Sequence, residues 1–298
     1  MMKKSKELCD ITAIIITYNE DKHIKRCLDS LIGKVKKIFI LDSFSTDKTI
    51  NIIKSKKIKF LKKKFKNHSD QFNSAIKLSN SKTKWLMRID ADEFVEKNFF
   101  KKLDQTLKKL PNNINGINVT RRYIFNEKEI RYGGVFPQKK LRIWKNGKGI
   151  CENTLFDEEI ICEPKIINLN ISLFDYNKSK FHFWKKKHKE YAIKEAIRFK
   201  FEKNLNNRKF SKEQMKIKVN RKKMYYRFPI FVRPIILFFY RFIFNLGFLD
   251  GINGLRFCFW QTLWFRMLVD INILKISFLF NSGKYNRNNI FKKLIDDV

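Results

Sequence analysis

Glycine, proline and acidic residues are all scarce in this chain. There are 10 glycines and 5 prolines in 298 residues, and 29 Asp+Glu against 65 Lys+Arg. No GxGxxG follows the first apolar run and no GxxxxGKS or GxxxxGKT occurs, which argues against a classical dinucleotide fold and a P-loop NTPase. The four histidines (His23, His68, His182, His188) form no metal-ligand spacing, and the absence of GxSxG leaves a hydrolase triad unsupported. Five cysteines (Cys9, Cys27, Cys151, Cys162, Cys258) are an odd number with no CxxC, so neither a disulfide framework nor a zinc knuckle is indicated and a reducing cytoplasm is expected. After Met1, Met2, Lys3 and Lys4, the apolar run Ile11 to Ile16 is too short for a signal-peptide core and lacks a cleavage site, so secretion is not expected.

What is present is charge and aromatic bulk. The net charge of +36 suits nucleic acid or an anionic membrane surface. The excess is mostly lysine spread over the whole chain alongside Asn, Ile and Phe, as compositional drift in an AT-rich genome would also produce. With 44% hydrophobic residues the chain has ample material for a large core.

Residues 11 to 110 alternate between strand and helix patterns. Ile11 to Thr17 reads as a strand, followed by helical spacing at Ile24, Leu28 and Leu31. Lys37 to Leu41 is a second strand, and the cluster Asp42-Ser43-Phe44-Ser45-Thr46-Asp47 offers N-cap chemistry for a helix beginning near Lys48. Ile58 to Leu61, helical Ser69 to Leu78, and Trp85 to Ile89 continue the series. The alternation predicts an α/β fold, a mainly parallel, Rossmann-like sheet with helices on both faces. From Gly116 shorter extended pieces, Ile117 to Tyr123 and Leu141 to Trp144, predict a mixed sheet with loops. Residues 183 to 225 are Lys-rich and helical in spacing. Two aromatic runs, Phe228 to Leu249 and Leu255 to Phe280, flank clustered Gly247, Gly251 and Gly254 and predict a helical hairpin. Arg256, Arg266 and Asp270 fall within about 80° on a helical wheel, leaving a broad apolar face. An interfacial helix, a buried hairpin and a true span all remain open, with the interface favoured. The expected division is 1–110, 111–182, 183–225 and 226–298.

Acidic groups gather where ligands bind in an open parallel sheet, beyond the carboxyl ends of the strands. Strand one ends at Glu20, strand two at Asp42 and Asp47, and strand four at Asp90 and Asp92. If the segment leaving strand four is extended, the i, i+2 spacing of Asp90 and Asp92 turns both carboxylates to one side, where they can share a site for Mg²⁺ or Mn²⁺. Helix capping is the structural alternative.

Ile14-Ile15-Ile16-Thr17-Tyr18-Asn19-Glu20, Leu41-Asp42-Ser43-Phe44-Ser45-Thr46-Asp47-Lys48-Thr49 and Arg88-Ile89-Asp90-Ala91-Asp92-Glu93 resemble inverting family 2 glycosyltransferases of the GT-A fold. Gly247-Phe248-Leu249-Asp250-Gly251, with Arg121-Arg122 and Tyr132-Gly133-Gly134, resembles the bacterial lipopolysaccharide core β-1,4-glucosyltransferase branch. The resemblance implies that Thr17, Glu20 and Asp42 hold the nucleotide, with Gln71 and Asn73 near the base. Asp90 would face the ribose and Asp92 the metal and diphosphate, making 1–110 the donor half and 111–182 the acceptor half. Where the branch carries a His-Glu pair after Arg142-Ile143-Trp144, this chain carries Asp157-Glu158.

These features predict transfer of a hexosyl group from a nucleotide-diphosphate sugar to a saccharide or lipid-linked acceptor, with inversion. Glu158 is the first choice of general base and Asp157 the second, with a solvated acidic run as the structural alternative. The expected location is the cytoplasmic face of the inner membrane. There residues 228 to 280 would lie in the interface while Arg227, Arg233, Arg241 and Lys222-Lys223 meet anionic lipid. The rivals are a non-catalytic RNA- or anionic-lipid-binding protein, based on Phe181, Phe183 and Trp184 beside Lys185-Lys186-Lys187, and a nucleotidyltransferase. Neither accounts for all the features: the first leaves the acidic strand ends unexplained and the second lacks its glycine-rich loop, so no nucleic-acid partner is expected.

Overall fold

The computed structural model describes residues 8–154, 158–201, 224–283 and 286–296. The chain divides into two compact units. The first comprises 1–124, 137–153 and 158–178, and the second 125–136, 154–157 and 179–298.

The first unit is built on β1 (Cys9–Thr17), β2 (Val35–Asp42), β3 (Phe60–Lys62), β4 (Trp85–Arg88), β5 (Glu93–Val95), β6 (Gly116–Phe125), β8 (Gln138–Lys145) and β11 (Ile166–Asp175), in the order β3-β2-β1-β4-β8-β6-β11-β5. The strands β3, β2, β1 and β4 are parallel, which is the core expected from the early alternation. The second half adds antiparallel pairings of β8 with β4 and β6, and of β11 with β5, giving the mixed sheet. A small ribbon of β9 (Gly149–Cys151) and β10 (Ile160–Cys162) lies beside it in sequence.

Both faces of the sheet are covered, so its strands read as continuous apolar runs. Ile11, Ala13 and Ile15 of β1 pack with α1 (Ile24–Leu31), α2 (Thr49–Ser55) and α4 (Phe99–Lys109) through Leu28, Ile53 and Phe99. Ile14 points the other way, toward Phe72 and Ala75 of α3 (His68–Leu78) and toward Cys151 and Cys162 of the ribbon. The period of two along β1 thus places two separate cores on the two faces.

Among the described residues the second unit is mainly helical, with β7 (Lys128–Ile130), α5 (Phe181–Phe201), α6 (Val232–Phe239), α7 (Gly251–Cys258), α8 (Phe265–Asn281) and α9 (Arg287–Asp296). Of the expected Lys-rich helix 183–225, Phe181–Phe201 is helical, and 202–223 lies outside the described residues. The described core joins Ala192, Ile193 and Ala196 of α5 to Val269, Ile273 and Ile276 of α8 and to Ile290 and Leu294 of α9. Phe181 stacks on Trp184, and Trp260 meets both Phe181 and Trp264. Lys185 Nζ lies 5.4 Å from the Trp260 ring centroid. These rings are engaged with one another, while Phe183 is exposed.

The two glycine motifs of this unit meet. The Asp250 carboxylate accepts the backbone N–H groups of Arg131 (3.0 Å) and Tyr132 (2.9 Å), and Gly133 N–H donates to the Asn245 carbonyl (2.8 Å). A Cβ on Gly254 would fall 2.1 Å from the Gly247 carbonyl oxygen, so only glycine permits this approach.

Beside this apolar core the unit buries ion pairs and amides and exposes large apolar side chains. Arg233 (3% exposed) pairs with Asp270 (0%) through Nε–Oδ1 at 2.9 Å, and Arg266 donates to buried Glu195 at 2.7 Å. Thr262, Asn253 and Asn272 are also buried, whereas Phe244 (76%), Phe278 (77%) and Ile252 (60%) are exposed. The expectation that Arg233 and Arg241 meet lipid is therefore corrected: Arg233 neutralises Asp270, and Arg241 donates to the Gly133 carbonyl (2.7 Å) and to Thr262 (3.1 Å). The polar stripe of α8 faces inward for the same reason, because Asp270 and Arg266 find their ionic partners there. Lys222 and Lys223 lie outside the described residues. Among the described residues no single helix is long and apolar enough to cross a membrane. Val232–Phe244 and Gly247–Asn281 together are, but they bend by 72° at their break.

Removing one partner of a buried pair leaves an uncompensated charge. Arg233→Met is expected to cost about 3–5 kcal/mol, and Arg233→Met with Asp270→Leu to recover most of it. Urea unfolding of the full-length protein checks this; a loss under about 1 kcal/mol for the single variant would contradict the pairing.

Candidate functional site

The C-terminal ends of β1, β2 and β4 carry the acids singled out in the sequence. In the parallel register of β1 and β2, Thr17 stands opposite Asp42. Thr17 Oγ1 donates to Asp42 Oδ2 (2.9 Å), Ser45 N–H donates to Oδ1 (2.9 Å), and Ser45 Oγ to Oδ2 (2.5 Å). Buried Asp42 therefore folds the loop 43–46 back onto the strand ends. Gln71, on the first turn of α3, reaches the same loop by donating to Ser43 Oγ (2.9 Å), and its buried Oε1 has no hydrogen-bond partner among the described residues. Asn73 is committed elsewhere: its amide donates to the Cys151 carbonyl and accepts the Cys151 N–H, both at 2.8 Å.

Glu20 caps the entry to α1. Its carbonyl accepts the N–H groups of His23 and Ile24, and its carboxylate takes a hydrogen bond from His23 Nδ1 (2.6 Å). The backbone N–H of Lys178 donates to His23 Nε2 (2.8 Å). A backbone amide can only donate, so Nε2 is the acceptor and the ring proton sits on Nδ1. Asp47, one of the acids expected at this edge, accepts N–H groups from Asp21 (3.1 Å) and Thr49 (2.9 Å). Burial opposes ionisation of Asp47, yet these bonds hold it below the usual carboxylate range.

The segment carrying Asp90 and Asp92 is not extended. The chain turns at 91–92, with Glu93 N–H donating to the Asp90 carbonyl (2.9 Å) and Asp90 N–H to Glu93 Oε2 (3.0 Å). This turn replaces the extended spacing on which a common orientation depended. Asp90 is gripped by Arg88 Nε (3.0 Å) and Arg142 Nη2 (3.2 Å). Burial alone would raise it, but Arg88 and Arg142 hold its carboxyl well below the usual range. Asp92 is half-exposed; its Oδ2 accepts from Asn177 Nδ2 (3.2 Å), and its carbonyl accepts from Arg26 Nη2 (3.0 Å). Arg26 also donates to the Tyr176 carbonyl (2.7 Å), tying the turn to the end of β11.

Beneath the turn lies a buried charge network in which Arg142 and Arg121 bracket Glu93, and Arg121 pairs with Asp175. Burial, with Asp90 and Asp175 nearby, pushes Glu93 up to about 8 against the pull of the two arginines.

Glu158 belongs to the same edge. Its carbonyl accepts from Arg88 Nη1 (3.1 Å), and its Oε2 lies 3.9 Å from His68 Nδ1. Asp157 lies outside the described residues. The geometry thus gathers Thr17, Asp42 and Gln71 around one loop and ties Asp90 to Glu158 through Arg88. Sequence reasoning missed Arg88, Arg142, Arg26 and His68 as site residues. The available signal was Arg88 closing the otherwise apolar strand Trp85–Arg88, and Arg142 set between the apolar Leu141 and Ile143-Trp144.

The donor chemistry limits what metal could be held. Among the described residues no three His, Cys, Asp or Glu side chains are grouped for an ion. The oxygens of Asp90 are occupied by guanidinium groups, which leaves Asp92 as the carboxylate at the turn available to a hard cation. One carboxylate with waters and substrate phosphates is a usual Mg²⁺ arrangement, so the residues fit an ion brought with a diphosphate.

Residues 12–162 match the glycosyl transferase family 2 profile. A 91-residue stretch is 40% identical to the SPbeta prophage-derived glycosyltransferase SunS of Bacillus subtilis, covering 29% of this chain and 21% of that protein. An 87-residue stretch is 36% identical to an uncharacterized glycosyltransferase of Rickettsia bellii, covering 29% of each. The matches therefore span less than a third of these relatives. Among solved structures, Staphylococcus aureus TarS residues 1–349 in complex with UDP-GlcNAc aligns over 92% of both chains at 13% identity, with a TM-score of 0.43. The strand-end site sits in an α/β domain of the transferase class, and the chain belongs to glycosyl transferase family 2.

Proposed function

We propose that this protein transfers a hexosyl group from a nucleotide-diphosphate sugar to a hydroxyl of a saccharide or lipid-linked acceptor, with inversion, in lipopolysaccharide core or other cell-envelope glycan synthesis. The observation that carries the reading is Arg88, which links the Asp90–Asp92 turn to the segment bearing Glu158 at the ligand-binding edge of a family 2 domain.

In this reading Thr17 and Asp42 shape the 43–46 loop for the nucleotide, and the unused Gln71 Oε1 offers the base an acceptor. Glu20 and Asp90 act by holding the walls, Glu20 through His23 and Asp90 through its two arginines. Asp92 would hold Mg²⁺ or Mn²⁺, which when bound offsets charge growing on the leaving diphosphate. Glu158 accepts the proton of the attacking hydroxyl; a positioned carboxylate of this kind contributes about 10²- to 10⁴-fold.

The proposed location is the cytoplasmic face of the inner membrane. Support comes from the helical unit, which holds ion pairs and amides inside and leaves Phe244, Phe278 and Ile252 exposed. Side chains arranged this way match a lipid environment, where polar groups face the protein interior. The exposed cations Arg227, Arg256 and Lys275 replace Arg233 and Arg241 as candidates for anionic headgroups.

Two outcomes test this. Asp92→Asn is expected to weaken Mn²⁺-dependent nucleoside-diphosphate binding by about 10-fold or more with the circular dichroism spectrum unchanged, as second-shell losses alone already reach that size. Unchanged binding by titration calorimetry would remove Asp92 from the metal. Full-length protein is expected to sediment with membranes, to resist high-salt washing and to yield to detergent, while Phe244→Asp with Phe278→Asp moves it toward the supernatant. Wild-type protein that stays in the high-speed supernatant at low salt would contradict the membrane reading.

A further inference from the structure

The histidine at the start of α3 has a place in the site that no sequence motif gives it. Asn67 caps this helix, its side chain accepting the Asp70 N–H at 2.8 Å, so the position of His68 on the first turn is fixed. Arg88 Nη2 lies 3.3 Å from His68 Nε2. A guanidinium only donates, so Nε2 is the acceptor and the imidazole is neutral with its proton on Nδ1. That Nδ1 faces Glu158 Oε2 at 3.9 Å, while Arg88 Nη1 holds the Glu158 carbonyl at 3.1 Å. Backbone and side chain of Glu158 are therefore approached by the same two residues.

We propose that His68 is a positioning residue for Glu158: its Nδ1–H orients the carboxylate toward the acceptor hydroxyl and keeps it ionised. The proposal rests on the reading of Glu158 as the base. The 3.9 Å separation is longer than a hydrogen bond, as catalytic contacts often are before substrate binds, and a small side-chain rotation closes it. With Nε2 engaged by Arg88 and Nδ1 already protonated, the imidazole has no free lone pair to receive the proton that Glu158 takes. The proton leaves through Glu158 itself, and His68 sets only its aim and its charge.

Among the described residues, the other groups facing this position include Arg88 and Asp90 from the end of β4 and the Cys151 thiol of β9, with Glu159 next in sequence and paired to Lys140 at 2.7 Å. Burial pushes the Cys151 thiol up to about 11, so it carries no charge near neutrality. A donor to the ionised form lowers a carboxyl pKa, and removing it raises the pKa, so the acid limb of the rate profile moves to higher pH.

The test is the pH profile of kcat/KM for nucleotide-sugar hydrolysis by the full-length protein, comparing His68→Ala, His68→Gln, His68→Asn and Glu158→Gln. Asparagine places an N–H near the position of Nδ1, and glutamine places its amide near Nε2. His68→Ala and His68→Gln are expected to shift the acid limb up by about 0.5–1 unit, losing roughly 3- to 10-fold at pH values well below the wild-type limb and under about 2-fold well above it. His68→Asn is expected to keep the limb near its wild-type position, and Glu158→Gln to lose turnover throughout. Turnover retained in Glu158→Gln would overturn the base itself. A dead Glu158→Gln beside a His68→Ala that loses activity equally at every pH would overturn the role of His68, and His68→Asn behaving like His68→Ala would overturn the Nδ1–H assignment.

Discussion

At the end of β4 the Arg88 guanidinium donates to the Asp90 carboxylate, to His68 Nε2 and to the Glu158 carbonyl, and the arrangement of the candidate site depends on that one group. Arg88 is buried, so its charge requires partners, and Asp90 supplies the opposite one. Taking the cation away would leave Asp90 facing Arg142 alone and would release the segment carrying Glu158. Arginine suits this task because its planar fork presents donors in several fixed directions, which a lysine cannot do. The same logic extends beneath the turn, where Arg142 and Arg121 bracket Glu93 and Asp175. Such networks are weak sources of stability against a hydrophobic alternative. Their presence at a strand edge is better explained by the geometry they impose on the Asp92 turn.

The helical unit solves a different problem. Beside its apolar core the ion pairs Arg233–Asp270 and Arg266–Glu195 are drawn inward, while many of its largest apolar side chains are exposed. Glycine makes the inner contacts possible: Gly247 and Gly254 approach so closely that a methyl group on either would meet backbone. The Asp250 carboxylate then caps two consecutive N–H groups at Arg131 and Tyr132, which explains in physical terms why a glycine-aspartate motif near residue 250 accompanies a glycine pair near 133.

Much of the first unit was legible in the sequence. Strands covered on both faces read as unbroken apolar runs, and acids at their ends marked the ligand edge, so β1, β2 and β4 with Thr17, Asp42, Asp90 and Asp92 were all visible. What was not legible depends on pairing between distant segments. Nothing local says that Arg142 on β8 lies against Asp90, that His68 faces Glu158, or that the Asn73 amide is spent on the β9 backbone. Spacing also misled where a turn intervened: the i, i+2 rule for Asp90 and Asp92 holds only in extended chain. In the helical unit the wheel grouped Arg256, Arg266 and Asp270, of which Arg266 and Asp270 pair inward while Arg256 is exposed on the preceding helix; a wheel cannot say which side is wet, and the buried partners Glu195 and Arg233 lie 71 and 37 residues away.

The central claim is that the strand-end site binds and activates a nucleotide-diphosphate sugar. Its most direct measurement is release of nucleoside diphosphate from a panel of nucleotide sugars by the full-length protein, with Mg²⁺ or Mn²⁺ supplied and then chelated. The account predicts hydrolysis of at least one donor that stops on chelation. No release from any donor, by protein shown to be folded, would contradict it.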